Sequence, residues 1–182
     1  MNPGSHHDLL QGYIPETMAE RRDRLRMLAL LETGPTAFDR DHFEPGHFTA
    51  SAFVLSPNGK SVLMILHSKL GRWLQPGGHV EAGDIDLAMA ALREVCEETG
   101  LHLTQLRLVE DGIFDIDVHE IPARGDDPAH EHFDVRFLLR STSDNIRRTD
   151  EVDDVRWVSL GEVSQLEADA SVRRAIARIP RD

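Results

Sequence analysis

Three glutamates crowd the last turns of a predicted helix near the middle of the chain: Glu94, Glu97 and Glu98. Because residues three and four positions apart share a helix face, each like-charge pair opposes the helix by a few tenths of a kcal/mol. The negative end of the helix dipole adds roughly 0.3–1 kcal/mol for each exposed acid. A hard divalent cation such as Mg²⁺ takes oxygen ligands and would offset this repulsion. The spacing therefore indicates a metal site that can also receive phosphate oxygens.

A glycine-rich segment, from Gly77 to Asp84, directly precedes this helix. Glycine lets the backbone come close to an ion or a phosphate, which gives Gly77 and Gly78 a physical rationale. This segment and the run from Arg93 to Leu101, Arg-Glu-Val-Cys-Glu-Glu-Thr-Gly-Leu, together resemble the signature of the Nudix hydrolases. The match departs at one carboxylate, since Asp84 stands where the family has a glutamate and lies one residue farther from Arg93. Asp84 also suits the N-cap of the helix.

The resemblance implies the α/β Nudix fold, in which a mixed β-sheet is sandwiched between α-helices. We expect residues 47–182 to form this domain and residues 1–46 to form an N-terminal helical extension packed on it. The mixture of predicted strands and flanking helices independently favours an α/β layer structure.

Hydrophobic periodicity predicts the elements that must position the acids. The first helix shows an apolar stripe of Met18, Leu25, Leu28 and Leu31. The acids of the central helix fall opposite a predicted core face of Ala88, Ala91, Leu92, Val95 and Thr99. The predicted elements are a helix over 15–31, a hairpin of 48–55 and 61–67, a helix over about 85–99 capped by Gly100, strands over 103–119, 133–140 and 152–158, and closing helical segments that end before Pro180.

The activity that the resemblance implies is hydrolysis of a diphosphate linkage by attack of a metal-activated water on phosphorus. The implied substrate is a nucleoside diphosphate derivative, such as a nucleotide or a nucleotide sugar. Carried over position by position, the metal ligands are Glu94, Glu97, Glu98 and the carbonyl of Gly77, and the expected ion is Mg²⁺, with Mn²⁺ as an alternative. Glu97 and Glu98 are also expected to be catalytic. Arg93, four residues before Glu97, is expected to orient a glutamate.

Members of the family often use a further acid from a loop beyond the signature, as a metal ligand or as the general base. Our choice is Glu151, six residues before Trp157, because comparable relatives place that acid just ahead of a strand with a tryptophan. Glu120 and Glu131, on the long predicted loop between two strands, compete for the same role. An ordinary solvent-exposed acid is the alternative interpretation for each of the three.

The predicted substrate-binding residues are Gly78, Trp73, His119 and His132. Trp73 can stack on a base or serve as a hydrophobic anchor. Asp115, Asp117 and His119 alternate along one predicted strand, and His130 and His132 alternate at the start of the next. Period-two spacing places each set on one strand face. If the strands pair, these side chains can contact a substrate phosphate or a second metal; residues of an exposed sheet edge are the alternative.

The chain has 182 residues and a formal net charge of −12. Such an acidic balance argues against nonspecific binding to nucleic acid or to a membrane, because phosphate affinity comes largely from lysine and arginine. The single cysteine, Cys96, excludes an internal disulfide and suits a reducing compartment. No apolar run approaches the roughly 18 residues that span a bilayer. We therefore expect a cytoplasmic protein with a small-molecule partner, and the resemblance allows a homodimer.

Two other functions are compatible with the same fold. A noncatalytic Nudix-like sensor would bind a nucleotide and regulate a partner through the N-terminal helix, but the intact glutamates argue against it. An isomerase of isoprenoid diphosphates would need a cysteine in the pocket, and Cys96 within the helix is poorly placed.

Overall fold

The computed structural model describes residues 3–68, 70–165 and 168–180. In these residues the helices are α1 (Pro3–Gly12), α2 (Met18–Leu31), α3 (Leu87–Thr99) and α4 (Ala170–Ala177). The strands are β1 (Gly46–Leu55), β2 (Ser61–His67), β3 (Arg72–Leu74), β4 (Gly77–His79), β5 (Leu106–Leu108), β6 (Asp115–Ile121), β7 (His130–Ser141) and β8 (Asp154–Ser159). Within this described part of the chain, no helix is long and apolar enough to cross a membrane.

The strands form one sheet with the order β3-β2-β1-β7-β5, in which β4 pairs with β1, β6 with β7 and β8 with β2. β1 and β2 form the predicted hairpin, antiparallel with Leu55 opposite Val62. Its turn contains Gly59 at a φ of 72°, a left-handed conformation that glycine adopts without steric cost. Every residue of β1 is buried, so this strand belongs to the core.

The prediction of one strand over 103–119 is wrong. A short 3-10 helix and β5 occupy its first part, and β6 begins only at Asp115. Gly112, at a φ of 105°, lies in the turn that separates the two strands. Apolar residues on both sides of that glycine made the run look continuous. β7 also begins earlier than predicted, at His130, so the loop between β6 and β7 is shorter than the sequence indicated.

The central helix α3 begins at Leu87, two residues later than predicted. The Oδ1 atom of Asp86 accepts the backbone N–H of Met89 at 2.8 Å, which is N-cap geometry. The expectation that Asp84 caps this helix is therefore wrong, because the Oδ2 atom of Asp84 accepts the N–H of Glu81 at 2.8 Å within the loop. The predicted C-cap is confirmed, since Gly100 has a φ of 69°.

The chain divides into two compact units, each assembled from separate stretches. The first contains the chain up to Ala50 with Gly78–Ala90 and Gly112–Phe137, and the second contains Ser51–Gly77, Ala91–Asp111 and the chain from Leu138 onward. Interleaving of this kind follows from the sheet, since β1 and β7 each contribute residues to both units.

The N-terminal region differs from its prediction in two respects. Helix α1 was not predicted, yet Leu10 is fully buried. In α2, the hydroxyl of the N-cap residue Thr17 accepts the N–H of Glu20 at 3.1 Å. The predicted apolar stripe of α2 is wrong at two positions, because Met18 and Leu25 are 77% and 65% exposed. The buried side of α2 instead carries Glu20, Asp23, Met27, Leu30 and Leu31.

Contacts between α2 and the strands of the first unit hold the N-terminal region in place. Arg26 of α2 forms an ion pair with Glu131. Its guanidinium carbon also lies 5.4 Å from the ring centroid of Phe133, within range of a cation–π interaction. Arg26 and Glu131 therefore neutralise each other, and Arg26 helps to pack α2 against the strands.

Candidate active site

A carboxylate cluster lies at the C-terminal half of α3, in the second unit. We use this name for Glu94, Glu97, Glu98 and Glu151. Single carboxylate oxygens of Glu94, Glu97 and Glu151 lie within 4.8 Å of one another. The structure thus brings together two signature glutamates and the loop acid selected from the sequence, although more than fifty residues separate them along the chain.

Hydrogen bonds to the end of α3 position the loop that carries Glu151. The backbone N–H of Arg147 donates to the carbonyl of Thr99 at 2.9 Å, and the Thr149 hydroxyl donates to the carbonyl of Glu98 at 3.3 Å. Carbonyls in the last turn of a helix lack partners within the helix, so these donors satisfy them and fix the approach of the loop. An added Cβ at Gly100 would lie 2.4 Å from the Arg147 side chain, so glycine is also required for this packing.

Arg93 lies between two of the acids. Its Nη1 atom is 2.9 Å from Oε1 of Glu94 and 2.7 Å from Oε2 of Glu97. One guanidinium therefore contacts both carboxylates and restricts their rotamers, while the positioning role expected of Arg93 stays a prediction.

Glu98 is only 6% exposed, so the expectation that all the acids face away from the core is wrong for this residue. The backbone N–H of Gly77 donates to Oε2 of Glu98 at 3.0 Å. Burial raises the pKa of Glu98 to about 8, against the lowering effect of this hydrogen bond, and Glu94 and Glu151 raise it further. The observed contact of Gly77 is made by its N–H, while the metal contact predicted for its carbonyl stays a prediction.

Burial likewise raises the pKa of Glu94 to about 7, although the neighbouring Arg93 lowers it, and the charges of Glu97 and Glu151 act in the raising direction. Glu94 and Glu98 thus resist ionisation in the absence of a cation. A bound cation would favour their charged forms. Oxygen donors of this kind suit Mg²⁺ or Mn²⁺, so the residues fit the expected ion.

A histidine cluster lies in the first unit. We use this name for His47 of β1, His79 of β4, His119 of β6, and His130 and His132 of β7. The ring of His132 has its centroid 4.9 Å from that of His47, 5.2 Å from His79, 5.3 Å from His130 and 5.6 Å from His119. Burial, followed by the neighbouring histidines, lowers the pKa of His132 to about 2.

The two histidine-bearing strands, whose pairing the sequence analysis gave only as a condition, do pair. β6 and β7 are antiparallel, with His119 directly opposite His132 and Ile121 opposite His130. His130 and His132 share a strand face, as their spacing predicted. His47 and His79 were not among the predicted site residues, and they join the cluster because β1 and β4 belong to the same sheet. The only signal for His47 in the sequence is a histidine at the start of a strongly apolar strand.

The acids beside these histidines form a buried ion cluster that the sequence analysis missed. Arg136, fully buried, contacts Asp134 at 2.8 Å, Asp115 at 3.1 Å and Asp117 at 3.1 Å. Burial lowers the pKa of Arg136, but the three aspartates together raise it above its ordinary value. Asp117 also lies 3.0 Å from Nδ1 of His119. The structure therefore pairs Asp115 and Asp117 with an internal arginine.

The other predicted substrate-binding residues lie in two different strands. Trp73, in β3, is half-buried, and the guanidinium carbon of Arg156 lies 3.8 Å from its ring centroid. Arg156 therefore covers one face of the indole. Gly78 lies in β4, the strand that pairs with β1. The expectation that Glu120 and Glu131 lie on a loop is wrong, because Glu120 is exposed on β6 and Glu131, on β7, pairs with Arg26.

Comparison with known proteins assigns the family. Residues 45–179 match the family model described as the NUDIX domain. The chain therefore belongs to the Nudix family, and the sequence-based assignment to this family and to its α/β fold is confirmed.

Individual proteins and solved structures are also similar to this chain. The m7GpppN-mRNA hydrolase NUDT17 of Xenopus laevis is 33% identical over 105 residues, which is 55% of this chain and 34% of that protein. The chain thus spans about a third of the length of this curated relative. Among solved structures, a MutT protein from Methanosarcina mazei has a TM-score of 0.57 at 22% identity, covering 72% of this chain and 91% of that chain. A C. elegans Ap4A hydrolase has a TM-score of 0.54 at 20% identity, covering 71% and 92%.

Proposed function

We propose that this protein is a pyrophosphohydrolase that uses a divalent cation to cleave a diphosphate linkage in a nucleoside diphosphate derivative. The observation that carries the proposal is the approach of the Glu94, Glu97 and Glu151 carboxylates to within 4.8 Å of one another. Membership of the Nudix family supports it, as do relatives named as hydrolases of the mRNA cap and of Ap4A. Both names describe compounds in which phosphoanhydride bonds join nucleosides.

The proposed ligands of the cation are Glu94, Glu97 and Glu98 with the carbonyl of Gly77, and Mg²⁺ is the proposed ion. When bound, such an ion polarises phosphoryl oxygens and lowers the pKa of a coordinated water. Arg93 orients Glu94 and Glu97 through its two contacts.

Glu98 and Glu151 are the proposed proton acceptors. Without a cation Glu98 is protonated near neutral pH, because burial raises its pKa to about 8, and a bound cation would favour the charged form that can accept a proton. Glu151 is exposed, so it is accessible to solvent beside the other carboxylates. Substitution of each residue separately tests which of the two accepts the proton.

Substrate recognition is proposed for Gly78, Trp73, His119 and His132. The indole of Trp73 offers a surface for a nucleobase, and the backbone at Gly78 allows a close approach by phosphate. We further propose a cytoplasmic location, a domain of residues 47–182 with an extension of residues 1–46, a homodimer, and a partner that is a small molecule rather than nucleic acid or a membrane.

The test is a panel of nucleotides, dinucleoside polyphosphates and nucleotide sugars, incubated with the purified chain and Mg²⁺ while phosphate-containing products are measured. At least one compound should be hydrolysed, and Glu97→Gln and Glu98→Gln should each abolish turnover. The exposed Glu110→Gln variant is the matched control and should retain it. Tight binding of a nucleotide with no turnover of any compound would contradict the proposal and favour a noncatalytic sensor.

A further inference from the structure

Three members of the histidine cluster converge at one point of the first unit. One ring nitrogen from each of His47, His130 and His132 lies within 4.8 Å of the corresponding atoms of the other two. His47 is 1% exposed and His130 is 9% exposed. Neighbouring strands of one sheet hold these rings, since β1 is adjacent to β7. The convergence therefore depends on rigid elements rather than on a loop.

Backbone hydrogen bonds assign the tautomer of two of the rings. Nδ1 of His130 lies 2.9 Å from the carbonyl of Pro128, and Nδ1 of His47 lies 3.3 Å from the carbonyl of His42. A carbonyl only accepts, so each Nδ1 carries the proton and each Nε2 presents a lone pair. Metal-ligating histidines typically show this arrangement, because the second hydrogen bond fixes the tautomer and the orientation of the ring.

The Nε2 atom of His47 is buried and has no hydrogen-bond partner among the described residues. A buried polar atom without a partner destabilises the folded chain, so such an atom calls for an explanation. A cation shared with the other two rings supplies one. Aromatic packing alone does not, although Phe43 lies against the ring of His130 with their centroids 5.0 Å apart.

We propose that His47, His130 and His132 form a three-histidine site for a transition metal, with Zn²⁺ as the occupant. Imidazole nitrogens suit Zn²⁺, whereas carboxylate oxygens suit Mg²⁺ and Mn²⁺. Three protein ligands leave the fourth tetrahedral position to water or to an anionic oxygen. The site is chemically distinct from the carboxylate cluster, so the two clusters would select different ions from one solution.

Calorimetric titration with ZnCl₂ tests the site on the full chain, after removal of metals by a chelator and in the presence of excess Mg²⁺ to occupy the carboxylates. Wild type should bind one Zn²⁺ per chain. His47→Gln and His132→Gln should each weaken binding at least tenfold, whereas Glu97→Gln and the half-buried His7→Gln control should leave it unchanged. Loss of Zn²⁺ binding in Glu97→Gln with retention in His132→Gln would overturn the proposal.

A second measurement needs no substitution, which matters because His47 is buried and its replacement can unfold the chain. Co²⁺ substituted for Zn²⁺ absorbs strongly in the visible range when its geometry is tetrahedral, and weakly when it is bound octahedrally by oxygen. The wild-type chain should show the strong absorption in excess Mg²⁺. The weak spectrum alone would overturn the site whatever the variants show. Neither readout depends on turnover, so failure here leaves the proposed hydrolase activity to its own test.

Discussion

The carboxylate cluster and the histidine cluster each crowd side chains of one chemical type, but burial shifts their pKa values in opposite directions. The pKa of Glu98 rises to about 8 and that of His132 falls to about 2. In both cases burial disfavours the charged form, which is the carboxylate for an acid and the imidazolium for a histidine. Without a cation, Glu98 and His132 therefore both favour their neutral forms near neutral pH.

The two regions differ in how their surroundings compensate charge. The acids around Arg136 are paired with a buried internal cation. In the carboxylate cluster, Arg93 is the basic residue that α3 supplies, and it contacts two glutamates at once. The three aspartates share one buried guanidinium, whereas the carboxylate cluster includes the exposed Glu97 and Glu151, which an external ion can reach. Variants that change either balance can test this comparison.

The largest expected effect is on stability, from Arg136→Met. The substitution leaves Asp115, Asp117 and Asp134 buried without their counter-ion, and breaking a buried ion pair typically costs about 3–5 kcal/mol. Urea denaturation should show this loss in the free energy of unfolding. The exposed Arg148→Met control should change it by less than about 0.5 kcal/mol. Equal losses in the two variants would show that the Arg136 cluster is not a structural requirement.

The next effect concerns pH, measured in the presence of a chelator. Between an ordinary pKa of 4.5 and its folded value of about 8, Glu98 holds a proton in the folded chain that the unfolded chain has lost. Its contribution to the free energy of unfolding therefore falls as pH rises through this window, by a few kcal/mol, since each pKa unit corresponds to about 1.4 kcal/mol. Glu98→Gln should remove this slope when compared with wild type at each pH.

His132 should show the opposite slope. Its folded pKa of about 2 lies below the ordinary value of 6.5, so only the unfolded chain gains this proton as pH falls from 6.5. As pH is lowered below 6.5, the free energy of unfolding should decrease in wild type and decrease less in His132→Gln. If the Glu98 and His132 contributions to the free energy of unfolding change with pH in the same direction, burial does not shift the two pKa values in opposite directions.

Glu151→Gln should lower kcat about a hundredfold on whichever substrate the panel identifies, because loss of a general base typically costs that much or more. Glu120→Gln, at the exposed competing acid on β6, is the matched control and should stay near wild type. If Glu120→Gln loses activity and Glu151→Gln retains it, the general-base role belongs to Glu120.

The smallest expected effect comes from Arg93→Lys. Lysine keeps the charge but lacks the planar fork that contacts Glu94 and Glu97 together, so we expect a roughly tenfold lower kcat and a higher Mg²⁺ requirement. Both expectations can be checked by measuring the rate against Mg²⁺ concentration, with Arg148→Lys as the control. A lower melting temperature with an unchanged Mg²⁺ requirement would assign Arg93 a purely structural role.

Local patterns predicted the parts of the molecule in which neighbouring residues decide the conformation. The hairpin of β1 and β2, the helix that carries the glutamates and the cap at Gly100 follow from periodicity and turn chemistry. The stripe of α2 failed because both sides of that helix carry apolar residues, and packing selected Met27, Leu30 and Leu31. The break at Gly112 was hidden between two apolar runs.

The sequence by itself determined the chemistry of α3, because Glu94, Glu97 and Glu98 share one helix and their spacing sets their neighbours. Only the tertiary structure decided which distant side chains join such local groups. Sheet pairing places His47 against His130 and His132, and bonds to the end of α3 place Glu151 beside its glutamates. Burial is likewise a property of the folded chain, so the altered pKa values of Glu98 and His132 appear only when strands and helices pack.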